Sequence, residues 1–209
     1  MAIPNDMNFE GGKRLPSAGE DESLARFAVF TLLSMLALLV VLRIPGQGGP
    51  ALQSSTLTPD SKVSIRGIGP VRVGMSLEEA TNAMGSRLVR SDGQNGSEDC
   101  YYVEPEGGPP GLSFMIVSGQ IARVDIQNPA FESRSGARVG LTEEKVLSMF
   151  GSKIRVEGHQ YDENGHYLIF EPADPQDKNY SMIFETDGKV VTTFRAGRLP
   201  EVAYVEHCL

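Results

Sequence analysis

The 209-residue sequence has no tryptophan, and only two cysteines and three histidines. Each shortage narrows what the chain is able to do. His159 and His166 flank the turn sequence Asp162-Glu163-Asn164-Gly165, and His207 lies far off near the end, so no tight cluster with carboxylates is ready to hold a metal. His207 and Cys208 are neighbours in sequence, and adjacent side chains rarely face each other, which rules out a nucleophile pair. G-x-S-x-G, P-loop and H-E-x-x-H patterns are all missing. Gly67-Ile68-Gly69 and the run 107–111 do not lead from strand into helix as a phosphate cradle requires, and read as turns. The acidic pairs Glu78-Glu79 and Glu143-Glu144 sit at helix starts, where they cap rather than catalyse. The expectation is a non-enzyme with no catalytic residue, no metal and no cofactor. Positive charge is short as well. Lys and Arg number 19 against 27 Asp and Glu, for a net charge of −8. Such a surface repels phosphate backbones, so no nucleic-acid partner is expected.

One long hydrophobic run is present. Residues 27–42 (FAVFTLLSMLALLVVL) are uninterrupted and bracketed by Arg26 and Arg43. At 1.5 Å per residue they span about 24 Å against roughly 30 Å of bilayer hydrocarbon, and snorkelling arginines extend the reach. The lead is longer than a leader peptide's, and no good cleavage site or lipid-accepting cysteine follows. These features predict an uncleaved transmembrane signal anchor over 24–44. Lys13, Arg14 and Arg26 precede the run and Arg43 follows it, which puts the amino end in the cytoplasm and the rest in the periplasm of a bacterial inner-membrane protein. Ala28, Thr31, Ser34 and Ala37 form a loose small-residue stripe on this helix, a candidate for contact with partner helices. A polar tail (1–23) precedes the anchor, and a Gly/Pro/Ser/Gln linker (45–61) follows it.

Beyond the linker the sequence is written twice. Arg72-Val73-Gly74-Met75-Ser76-Leu77-Glu78-Glu79 returns 66 residues later as Arg138-Val139-Gly140-Leu141-Thr142-Glu143-Glu144, and Gly85-Ser86 as Gly151-Ser152. The repeats are predicted at 62–133 and 134–209. Ser76 with Glu79 forms a capping box for a short helix that Gly85 ends, and Thr142 and Gly151 do the same in the second copy. Strands are predicted over 99–104, 112–117 and 121–127, then over 153–157, 167–171, 180–185 and 189–196, with Ser118-Gly119 and Asp187-Gly188 as hairpin turns. The predicted class is α+β: a transmembrane helix followed by a duplicated unit of one helix and an antiparallel meander. Cys100 and Cys208 fall in different repeats, and an even pair in an exported domain reads as a disulfide tying the two together, with two separate buried thiols as the alternative.

Gly-Met-Ser-x-x-Glu (74–79), an apolar helix ending in Gly85 and a meander together resemble the barrel-assembly small lipoprotein family. The tandem copies with a disulfide are similar to the β-lactamase inhibitor proteins. The resemblance covers about 67–209. It implies a non-enzymatic domain that binds other proteins through a sheet face and loops, and it carries over no binding residue. This chain departs from the lipoprotein family in lacking its lipid-accepting cysteine and in having two copies of the unit.

Two proline-stiffened loops stand at matching places in the repeats, 104–111 (EPEGGPPG) and 171–179 (EPADPQDKN). Rigid loops lose little entropy on docking, so Glu104, Pro105, Pro109, Pro110, Glu171, Pro172 and Pro175 are the candidate contact residues. The functional expectation is an accessory or scaffold subunit that docks onto other membrane or envelope proteins. A free-standing inhibitor or sensor domain and an unrecognised envelope enzyme are the alternatives.

Overall fold

A computed structural model describes residues 56–58, 60–91 and 96–208. The chain first makes a small antiparallel sheet of three two-residue strands, β1 (Val63–Ser64), β2 (Gly67–Ile68) and β3 (Val71–Arg72). Gly67 has φ +129°, and a Cβ there would meet the Val71 carbonyl oxygen at 2.1 Å, so the turn is open only to glycine.

Helix α1 (Leu77–Met84) starts where its cap dictates. The Ser76 hydroxyl accepts from the Glu79 N–H, the Glu79 carboxylate accepts from the Ser76 N–H, and Gly85 closes the helix in the left-handed region. The short β4 (Leu88–Arg90) and then β5 (Cys100–Pro105), β6 (Leu112–Val117) and β7 (Gln120–Ile126) follow. Helix α2 (Glu143–Phe150) is capped by Thr142, which accepts from the Lys145 N–H. After it come β8 (Ile154–Gly158), β9 (His166–Phe170), β10 (Tyr180–Thr186) and β11 (Val191–Arg198).

All eight strands from β4 onward pair in one antiparallel sheet of order β4-β5-β6-β7-β11-β10-β9-β8. Its seam is β7 against β11, with Ile126 opposite Phe194 and Arg123 opposite Gly197. The Arg-Val-Gly motif is used alike in both places. The Gly74 N–H donates to the Ile121 carbonyl and the Gly140 N–H to the Val191 carbonyl, each at 2.8 Å, which ties each helix start to a strand.

Alternation along the strands divides the sheet's side chains between two faces. Phe114, Val124, Ile126, Leu168, Phe184 and Phe194 point to one, where Ala80 and Met84 of α1, Val146 of α2 and Val63, Ile68 and Val71 of the small sheet cover them. Full burial of an aliphatic or aromatic side chain is worth about 1.5–3 kcal/mol, and this cluster is the core. The opposite face is crossed by the last ten described residues, which form a strap with a single 3-10 turn at Glu201–Ala203 lying over β7, β10 and β11.

This outcome corrects the expected class. The described chain is dominated by strand, its two helices have eight residues each, and residues 52–209 form one compact unit around a single continuous sheet rather than a duplicated helix-plus-meander α+β domain. The physical reason is the seam, because pairing β7 with β11 merges both meanders, while glycine at 85 and 151 stops each helix after two turns. The membrane expectations are corrected too. Among the described residues no helix is long and apolar enough to cross a membrane. The anchor placed at 24–44, with Ala28, Thr31, Ser34 and Ala37, lies outside the described residues, so the single-pass inner-membrane placement has no support in the structure. The expected disulfide is formed: Cys100 and Cys208 are bonded, with α-carbons 5.4 Å apart.

Candidate protein-binding face

Two arginines, one on β7 and one on β11, organise the strap face. On β7, Val124 and Ile126 enter the core, which turns Arg123 and Asp125 to the other side. Arg123 is fully buried there. Its Nη1 donates to the carbonyls of Glu201 (3.0 Å) and Tyr204 (2.7 Å), and its Nε and Nη2 donate to the two Asp125 oxygens (2.9 and 2.8 Å). On β11, Arg195 is also buried; its Nε donates to the Val202 carbonyl at 2.7 Å and its Nη1 pairs with Glu185. The strap joins no ladder of the sheet, so its carbonyls need other donors, and these guanidiniums supply them. Burial of a cation costs several kcal/mol unless it is paired, and the Asp125 and Glu185 carboxylates provide the pairing. For Arg123, burial is the strongest single influence and works against the charge, but the Asp125 carboxylate and the Tyr102 oxygen together outweigh it and hold the pKa above the ordinary arginine value. Gly197, opposite Arg123 on β11, makes room: a Cβ there would come within 2.5 Å of the Arg123 Cβ.

The end of the strap is fixed in two further ways. Cys208 is bonded to Cys100 on β5, and His207 sets its ring edge-on to Tyr102 at 5.6 Å between centroids. Arg123 donates to the Tyr102 oxygen, and the Tyr102 hydroxyl in turn lies 3.0 Å from His207 Nδ1. Burial pushes the Tyr102 hydroxyl pKa well up, so it stays a neutral donor. Desolvation, with the neighbouring Arg123 charge second, pushes the His207 pKa below its ordinary value and leaves Nδ1 free to accept.

A groove runs along each side of the strap. One of ≈ 560 Å³ is lined by Tyr167, Ile169, Ile183, Leu199 and Val205. The other, ≈ 650 Å³ and more polar, is lined by Asp125, His159, Tyr161, Thr193, Glu206 and His207. His159 stacks on Tyr167 with centroids 4.5 Å apart, and its Nε2 lies 3.6 Å from Glu185. Among the described residues four large hydrophobic side chains stand well exposed: Val156, Tyr161 (65%), Leu199 (45%) and Tyr204 (41%). The last three belong to the strap or line its grooves.

The sequence-predicted loops are not brought together. The loop holding Pro109 and Pro110 leads into Leu112, which pairs with Ile126 and so lies level with Phe194 of β11. The loop holding Pro172 and Pro175 leads into Tyr180, which pairs with Arg198. Those β11 positions are about 13 Å apart, and the loops project from opposite ends of the sheet. Glu171 and Pro172 border the ≈ 560 Å³ groove, whereas Glu104, Pro105, Pro109 and Pro110 line neither groove. Pro105 is buried within β5, and Pro175 is exposed on a 3-10 turn. Sequence reasoning missed the strap and its two arginines. The available signal was a charged residue inside each of two strand-like runs, IARVDI and TTFRAG.

No family model matches this sequence, and no curated protein matches it. A crystal structure of the uncharacterized protein yfeY from Escherichia coli resembles it at a TM-score of 0.44 and 14% identity, over 66% of this chain and 99% of that one.

Proposed function

We propose that this domain is a non-enzymatic protein-binding module, a subunit or accessory factor that takes a protein partner on the strap face of its sheet. The observation that carries the reading is the gathering of Tyr161, Leu199 and Tyr204 around the strap, in a region whose backbone is held rigid by two buried arginines and a disulfide. Exposed tyrosines are common anchors of protein interfaces, and a pre-ordered surface loses little entropy when it docks. The histidines nearest the strap are engaged structurally: His159 is stacked on Tyr167, and His207 is bound to Tyr102. The sequence resemblance to protein-binding families points the same way. A free-standing inhibitor would use the same face.

Affinity capture of the full-length chain from its native cells tests the proposal. The wild type is expected to retain a stoichiometric protein that Tyr161→Ala/Tyr204→Ala loses, each hot-spot truncation costing about 2 kcal/mol or more. Glu144→Ala, on exposed α2, is expected to retain it. A wild type that recovers no protein, or a double variant that recovers it undiminished, overturns the reading.

A further inference from the structure

The two ends of the eight-stranded sheet are finished differently. At one, β4 has three residues, and Arg90 lies over the Tyr101 ring at 4.7 Å and donates to the Ser97 carbonyl. At the other, β8 is a five-residue strand, IRVEG, and no strand among the described residues lies beyond it. The Glu171 N–H donates to the Lys153 carbonyl and the His159 N–H to the Gly165 carbonyl. Antiparallel alternation then turns the backbone groups of Arg155 and Glu157 inward to β9 and those of Val156 and Gly158 outward to the open edge. The Ile154 N–H is used by the Gly151 carbonyl, which leaves the Ile154 carbonyl as an outward acceptor.

We infer that this edge is a self-complementary docking strand, and that two copies of the chain join β8 to β8 antiparallel about a two-fold axis at Val156. The register follows from the residues themselves. Val156 meets Val156 of the second copy as a hydrogen-bonded pair, and the Gly158 N–H meets the Ile154 carbonyl, twice by symmetry. Arg155 then stands opposite Glu157, and Glu157 opposite Arg155, in the non-hydrogen-bonded positions where side chains approach most closely. The same two residues already form an ion pair within one chain, so the four charges alternate in sign around the axis. Arg155 is also oriented by Glu171, whose carboxylate accepts from its Nε at 2.7 Å. On the other side of the sheet, Val156, 47% exposed, gains an apolar neighbour. A bare strand edge is normally blunted by charge of one sign or by proline, and this one carries an alternating pair that fits itself. Pairing through one short strand buries less than the roughly 1,200 Å² of a standard interface, so the dimer is concentration-dependent.

Sedimentation velocity of the full-length chain over a concentration series tests the pairing. The expected result is a shift from one chain to two as concentration rises. Arg155→Glu and Glu157→Arg each place like charges opposite one another at two symmetric positions, and each moves the midpoint up by about tenfold or more. Their combination restores the opposite-charge pairs and returns the midpoint to near the wild type. Val156→Lys, which sets two ammonium groups face to face, weakens association without touching the ion pairs. A wild type that stays single at every concentration, a double variant as weak as the single ones, or a Val156→Lys chain that associates like the wild type overturns the inference.

Discussion

The two faces of the one sheet are stabilised by different physics. The helix-covered face is mostly apolar, and its order comes from burial of Phe114, Phe184, Phe194 and their neighbours. The strap face hides Arg123, Arg195, Asp125 and Glu185 among smaller apolar clusters and holds a segment of irregular backbone in place. An apolar face tolerates exchange of similar shapes, whereas a paired and hydrogen-bonded charge fails badly when one member is removed. That contrast fits a division of labour in which the first face holds the domain together and the second presents a fixed surface.

The sharpest way to break the comparison is to remove the buried cation. Arg123→Met leaves Asp125 as an unpaired, half-buried carboxylate and two strap carbonyls without donors, and is expected to cost about 3 kcal/mol in denaturant unfolding. Phe194→Ala on the apolar face is expected to cost a similar amount, about 3–5 kcal/mol, through its cavity. Hydrogen exchange separates the two: strap amides from 199 to 208 open in Arg123→Met and stay protected in Phe194→Ala. Equal strap protection in both would show that the arginine does not hold the strap.

Next in size is the disulfide. Cys100→Ser/Cys208→Ser removes a link across a sequence separation of 108, worth about 2–4 kcal/mol in such cases. Its loss is expected to lower stability and free the strap's end, with the apolar-face amides unchanged. A smaller effect comes from His207. Its folded-state pKa is depressed below the ordinary 6.5, so the folded chain binds fewer protons than the unfolded one. Stability is therefore full above about pH 6.5 and falls as pH drops, because protonation at Nδ1 removes the acceptor for Tyr102 and sets a cation beside Arg123. Asparagine offers an oxygen where Nδ1 stands and tolerates the positive φ of 61° at this position. His207→Asn is expected to keep neutral-pH stability while flattening the slope of unfolding free energy between pH 7 and 5. An unchanged slope would place the titration elsewhere.

The apolar face was the more legible in the sequence. The helix starts at Ser76 and Thr142 and most strands of the large sheet follow from caps, alternation and turn residues, all local signals. The small sheet at 63–72 was missed because two-residue strands joined by glycine turns have no period to detect, and β4 was missed for the same reason. Nothing local announces the β7–β11 seam, which is a pairing over some seventy residues and decides that the two meanders become one sheet. The strap was hidden for a related reason. Its last residues have no strand-like pattern, and two of their partners, Arg123 and Cys100, lie in strands distant in sequence, while Arg195 sits on the strand just before it. The matched proline loops stand at equivalent places in the two repeats, but strand direction sends them to opposite ends.

The central claim, that the strap face receives a protein partner, is tested most directly by photo-cross-linking in native cells. One photoreactive residue replaces Tyr161 beside the strap, and in a second chain one replaces Ala83 on α1, over the other face. The account predicts a discrete adduct of this chain with a second protein from position 161 and none from position 83. An adduct from position 83 alone, or none from either, would contradict it.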